Sequence, residues 1–247
     1  WADGVCGKCQ KQAEASVDIG GRVTYYANFT TACDAAAASQ QAASVTVLKD
    51  VSVIRPELEL SADSPVSING GGHTVSGCEV TILKGSVTIQ DLCLLNSLSI
   101  ETEDAPDTVT VVLTGCTIDI RGNMQDGNAV HVKGGTLKMA DCTVAACLVG
   151  IAAVRGRVEI EGGTVMASLE GFEEGGSQSS RASVGLKVKD SDKGTADVVL
   201  SGGTFSGDTA AILVDGPGAG SYAGGRSAGL TLGGLLKAEY AYFHEDG

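Results

Sequence analysis

The chain has 247 residues, a formal net charge of −13, 35 glycines, 8 cysteines and only 4% aromatic residues. An acid excess of this size argues against nucleic acid and anionic membrane surfaces as partners, since both require a concentrated positive patch. No apolar run approaches the ~20 residues of a membrane span, and glycine at about twice its usual share of ~7% points to many tight turns.

Residues 1–22 read as a polar leader that holds Cys6-Gly7-Lys8-Cys9. A redox reading of this CxxC needs a thioredoxin-like βαβ context, and none follows. A zinc reading needs two more ligands, for which only Cys33 and a few histidines are candidates. A structural disulfide between Cys6 and Cys9 is therefore expected, with the metal and redox readings as its rivals.

Residues 23–44 read as a cap. Thr30 or Thr31 can N-cap a helix, Asp34 suits its first turn, and Ala35 to Ala38 are strong helix formers. The pattern predicts a helix over about 31–42, with Phe29, Cys33 and alanines turned to the core. A stack of strands needs such an element to hide its open end and unpaired edge.

From residue 45 the pattern turns to strands. Val45-Thr46-Val47-Leu48-Lys49-Asp50-Val51 is followed by Val66-Ser67-Ile68-Asn69 and by Gly71-Gly72-His73-Thr74-Val75. With Tyr25-Tyr26-x-x-Phe29-x-x-Ala32 and the alanine-rich helix before them, these segments resemble the opening of pectate-lyase-like β-helix modules. Such modules belong to large surface proteins of Gram-positive, often gut-dwelling, bacteria. The resemblance spans about residues 22–243 and implies a secreted or wall-attached protein with an adhesive or spacer role. Glu239-Tyr240-Ala241-Tyr242-Phe243 resembles the end of such a module, so further domains of the same polypeptide are expected beyond it.

Over 45–247 one phrase keeps returning. It reads Val111-Val112-Leu113-Thr114-Gly115-Cys116-Thr117-Ile118, then Leu137-Lys138-Met139-Ala140-Asp141-Cys142-Thr143-Val144. Later copies are Val158 to Val165 and Val198 to Phe205, with a looser one at Val87 to Leu94 and a degenerate one from Leu230. The second apolar residues are Ile89, Leu113, Met139, Ile160, Leu200 and Leu232, 24, 26, 21, 40 and 32 residues apart. The long steps reduce to a constant coil of about 21 residues with insertions at its corners. Connections this short leave no room for a crossover helix. Alternation within each phrase, as in Val158 and Ile160 against Glu159 and Glu161, is that of a pleated strand. The expected fold is all-β: a right-handed parallel β-helix, a solenoid of about eight turns with a short N-terminal capping α-helix.

Stacking turns places Cys116 and Cys142 at equivalent inward positions, about 5 Å apart at Cα and inside the bridging range of about 4.4–6.8 Å. In-register parallel neighbours make strained disulfides, so an inward ladder of free thiols is the expectation. Outward positions offer Glu101, Lys133, Arg155, Lys189 and Asp215, with His131 and Lys187 nearby, and Lys138, Glu159 and Glu161 on the next face. Their signs are mixed, so neither a lyase site nor a paired-carboxylate glycosidase site emerges. Asp126, Asn128 and Asp208 share a corner but make a weak metal set; no cofactor is expected. His73 reads as a structural hydrogen-bonding residue, and the outward Thr117, Thr143, Thr164 and Thr204 as a flat surface made of good strand formers.

The insertions are better binding candidates, because rigid scaffolds present ligand-contacting residues on loops. The segment 166–183 carries Phe172 and Arg181, and 215–229 carries Tyr222 and Arg226; an aromatic beside polar groups suits a sugar ring or a protein partner. The expected role is a non-catalytic surface module that binds a glycan or host surface protein, or projects other domains. Its rivals are a carbohydrate-active lyase or hydrolase and a purely structural spacer.

Overall fold

A computed structural model describes residues 4–55, 57–102, 109–122, 127–169, 183–189, 194–215, 229–238 and 241–244. The fold is all-β with a single helix among the described residues. No described helix is long and apolar enough to cross a membrane.

In chain order the elements are β1 (Ala15–Ile19), β2 (Arg22–Tyr26), α1 (Phe29–Ala37), β3 (Ala43–Val47), β4 (Val51–Ser52), β5 (Glu57–Ser61), β6 (Val66–Asn69) and β7 (Thr74–Ser76). They continue as β8 (Glu79–Gln90), β9 (Cys93–Leu94), β10 (Leu98–Glu101), β11 (Val109–Thr114), β12 (Thr117–Asp119), β13 (Asn128–Ala140) and β14 (Cys142–Ala146). The last are β15 (Val149–Ile160), β16 (Gly163–Ala167), β17 (Val184–Lys189), β18 (Ala196–Gly207), β19 (Ala210–Asp215), β20 (Gly229–Ala238) and β21 (Ala241–His244).

Among β3 to β21 every described pairing is parallel, and these pairings sort into three ladders. The first runs β3, β6, then the second half of β8, β11, then the second halves of β13 and β15, and the first halves of β18 and β20. The second takes β4, β7, β9, β12, β14, β16 and the second halves of β18 and β20. The third takes β5, the first half of β8, β10, the first halves of β13 and β15, then β17, β19 and β21. The long strands β8, β13 and β15 bend from the third ladder into the first, with β-region breaks at Gly85, Gly135 and Gly156 (φ +94°, +72° and +93°).

Inward side chains line up pass upon pass. Val45, Ile68, Ile89, Leu113, Met139, Ile160 and Leu200 form one buried column of the first ladder. Val51, Val75, Leu94, Ile118, Val144, Val165 and Phe205 fill the second. Leu58, Val80, Leu98, Val130, Ile151, Leu186 and Ile212 fill the third. Branched aliphatics suit a pleated surface buried on one side. The one ring in these columns, Phe205, fits because Gly203 (φ +113°) has no side chain; a Cβ there would lie 3.3 Å from the ring.

The N-terminal region departs from the sequence reading. The expected leader contains β1, with Ala15 and Val17 buried, and β1 pairs antiparallel with both β2 and β3. A Gly20-Gly21 turn, with the Gly21 N–H donating to Asp18 Oδ1 at 2.8 Å, closes the hairpin. The helix starts and stops earlier than the expected 31–42. Asn28, not Thr30 or Thr31, occupies the N-cap, and its side chain makes no capping bond. Glu14 replaces it: Oε2 accepts the Phe29 N–H at 2.9 Å. Asp34 lies in the middle of the helix, paired with Arg55 at 3.4 Å. Beyond Ala37 the Ser39 hydroxyl turns the chain, accepting from Gln41 N–H at 3.0 Å. Phe29, Ala32, Cys33 and Ala36 are buried, as the amphipathic reading requires.

Candidate functional site

The third ladder gathers the charged residues singled out from the sequence. Register places Glu101 beside Lys133, Lys133 beside Arg155, and Lys189 beside Asp215. Lys133 Nζ lies 2.6 Å from Glu101 Oε1. A register shift after Val132 brings Arg155, rather than Val154, opposite Lys133. Arg155 Nε then donates to the Lys133 carbonyl at 2.8 Å, and its Nη2 donates to the Thr102 carbonyl. Upstream, Thr81 Oγ1 donates to Glu57 Oε1 and Ser99 Oγ to Glu79 Oε1, each at 3.3 Å. Each glutamate thus accepts from a hydroxyl of the next pass.

His131 stands between Ser99 and Ala152 in the same ladder. Burial, reinforced by the neighbouring Lys133 charge and opposed by Glu101, lowers its pKa to about 4. The ring is neutral at physiological pH.

The first ladder carries a second charged set. Lys138 Nζ lies 3.0 Å from Glu159 Oε2, Arg157 Nε 2.7 Å from Glu159 Oε1, and Arg157 also pairs with Asp197. The Arg157 and Lys138 hydrogen bonds hold the Glu159 carboxyl below its ordinary range. Glu161 takes no part in this set; its N–H donates to the Met139 carbonyl at 2.9 Å. Glu101, Lys133, Arg155, Lys138 and Glu159, scattered in the sequence, are thus neighbours across passes, bonded to one another or to backbone.

The second ladder presents a different surface. Thr74, Cys93, Thr117, Thr143, Thr164, Thr204 and Lys237 form one unbroken register column. The sequence reading found four of its threonines. Thr74 and Cys93 were missed, although the looser repeat at Val87 to Leu94 carries its cysteine where the others carry threonine. Adjacent members are about 4.8 Å apart, the spacing of paired strands. At one end of this column the His73 Nδ1 lies 3.4 Å from Asp50 Oδ1, which also accepts the Thr74 N–H at 2.9 Å.

All eight cysteines are free thiols. Cys6 is half-buried and Cys9 exposed, and the two stand as free thiols here rather than in the expected bridge. Cys6 is drawn toward its thiolate by hydrogen bonds from the Cys9 and Lys8 backbone and from the Cys9 side chain. Cys116 and Cys142 are both buried and free.

Asp208 belongs to a corner rather than a metal set: its Oδ2 accepts from Leu169 N–H at 2.7 Å and Ser168 Oγ at 3.1 Å. Among the described residues no group of three His, Cys, Asp or Glu side chains is placed to hold a metal ion. Phe172, Arg181, Tyr222, Arg226 and Asp126 lie outside the described residues. The strands that flank them are placed, however. The first insertion joins β16 to β17 and the second joins β19 to β20, and β17 pairs with β19 in the third ladder. The two insertions therefore adjoin the same ladder, one before it and one after it. Comparison with protein-family models, curated proteins and solved structures returns no match.

Proposed function

We propose that the chain is a right-handed parallel β-helix of eight turns, similar to the pectate-lyase-like modules of Gram-positive surface proteins, and serves as a non-catalytic binding module outside the cell. Its ligand is an extended glycan or a host surface protein, and it works as one domain of a longer, secreted or wall-attached polypeptide. The observation that carries this reading is the threonine-rich column of the second ladder. Five threonines in six consecutive passes set hydroxyl and methyl groups at a regular repeat along a face of low charge, which suits a ligand that is itself extended and repetitive. The cross-pass pairing of charges on the other two ladders supports a scaffold role for those side chains.

A glycan array together with host-protein panels tests the reading, using wild type, Thr143→Lys/Thr164→Lys and Phe172→Ala/Tyr222→Ala. The reading expects a ligand that wild type binds and at least one variant loses. Silence across every ligand class would leave the spacer role in its place.

One observation favours an enzyme instead. His131, a neutral imidazole close to the charges of Lys133 and Glu101, can accept a proton from a substrate, as a weak base given its pKa of about 4. Release of reducing ends or unsaturated sugars from polysaccharide panels, abolished in His131→Ala, would establish that activity and overturn the non-catalytic reading.

A further inference from the structure

The two cysteines of the second-ladder corner form an isolated pair. Thr117 pairs with Thr143 in register, so the residues just before them, Cys116 and Cys142, oppose each other on consecutive passes. The Thr143 N–H donates to the Cys116 carbonyl at 2.8 Å, and the Cys116 N–H donates to Cys142 Sγ at 3.4 Å. Both follow a residue in the left-handed region, Gly115 at φ +63° and Asp141 at φ +53°, so the two backbones turn the corner alike and aim their side chains the same way. Paired strands hold such residues about 4.8 Å apart at Cα, within the span of about 4.4–6.8 Å that a disulfide bridges, and the strain of an in-register bridge makes it one that thiols readily reopen. The corner is occupied by Leu92 on the pass before and Gly163 on the pass after. Each sulfur therefore has one sulfur partner and no competitor.

We propose that Cys116 and Cys142 are a latent cross-link site, at which exchange with a small-molecule disulfide joins the two sulfurs into a staple between consecutive passes. The Cys116 thiolate attacks one sulfur of the small disulfide and expels the other half as a thiolate. With Cys116 capped, the hydrogen bond that kept Cys142 protonated is gone; Cys142 loses its proton, attacks Cys116 Sγ and expels the second half as a thiolate. Two protein thiols are oxidised, one small disulfide is reduced to two thiols, and the two protons released by the cysteines end on those thiols. Cys116 is suited to the first attack: the hydrogen bond from Cys142 lowers its pKa and raises that of Cys142, and the thiolate is the nucleophile. Both sulfurs are buried, so the reaction proceeds through local opening of the corner. Once formed, the staple closes off that opening.

The test uses the full chain with Cys93→Ser/Cys147→Ser, which leaves 116 and 142 alone on their tryptic peptides. Folded protein is incubated with oxidised glutathione, alkylated, digested and mapped by mass spectrometry without reduction. The expected result is one cross-linked peptide pair joining 116 to 142, lost on dithiothreitol treatment and absent in Cys116→Ser. Native-state proteolysis should slow several-fold on oxidation and recover on reduction. Cys142→Ala serves as the second variant should Cys116→Ser fail to fold; it should retain only a glutathione adduct at 116. Full alkylation of both residues after oxidation and unfolding, or glutathione adducts on both without a link, would overturn the proposal.

Discussion

His131 shows how a single side chain departs from what its position in the sequence suggests. Read from the repeat, it is an outward residue near lysines and glutamates. In the fold it is half-buried against its neighbours, and its pKa falls to about 4 from an ordinary value near 6.5. The folded state therefore binds fewer protons than the unfolded one between these values. Stability is fully present above about pH 6.5 and declines as pH falls toward 4. Urea midpoints at pH 7 and pH 4.5 should show this loss in wild type and a flatter response in His131→Gln. An equal loss in both proteins would assign the effect to other groups. Neutrality of this ring was not legible in sequence: Lys133 is two residues away, but the burial that leads the shift depends on neighbouring passes at Ser99 and Ala152.

At the scale of elements, the strands were far more legible than the cap. Alternation at Val111 and Leu113, or at Val158 and Ile160, announces which side chains enter the core, and these are buried as the pattern requires. Leu113→Ala opens a cavity between Ile89 and Met139 and should cost about 2–5 kcal/mol by denaturant unfolding. The helix was found, but its boundaries were displaced, since the local signals at Thr30, Thr31 and Asp34 lost to a tertiary one. Glu14, fifteen residues upstream, caps the first turn only because β1 folds back beside β3. Glu14→Ala should lower stability by about 0.5–2 kcal/mol, whereas Thr30→Ala should lie within about 0.5 kcal/mol of wild type in the same assay. The β1–β2 hairpin had its own signal, apolar residues at Ala15, Val17 and Ile19 running into Gly20-Gly21, which the polarity of the leader obscured.

Charged pairs belong to the same scale. Lys138, Arg157, Glu159 and Asp197 sit on three consecutive passes of the first ladder, so their pairing is invisible until register is known. Lys138, Arg157 and Asp197 are about half exposed, with only Glu159 more covered, which limits what each pair contributes to about 0–1 kcal/mol. Glu159→Gln should therefore lower stability by less than about 1 kcal/mol, by an amount that shrinks as salt is raised.

For the whole molecule, the spacing of the repeats carried most of the architecture. Steps of 24, 26 and 21 residues correspond to passes through all three ladders, and the long steps contain the insertions between β16 and β17 and between β19 and β20. The candidate contact residues were less legible. Sequence pointed to aromatics in the insertions, while the register of the strands assembles a threonine column whose members are individually unremarkable. A surface of this kind exists only after stacking, since each pass contributes a single residue.

Stacking is thus the claim on which the column, the ion pairs and the cysteine corner all depend, and nuclear Overhauser contacts in isotopically labelled protein test it most directly. Parallel in-register pairing predicts backbone contacts from Val111 to both Val87 and Leu137, and from Thr143 to both Thr117 and Thr164. Strong Hα–Hα contacts of antiparallel pairing between these segments, or contacts displaced in register by one residue, would contradict it.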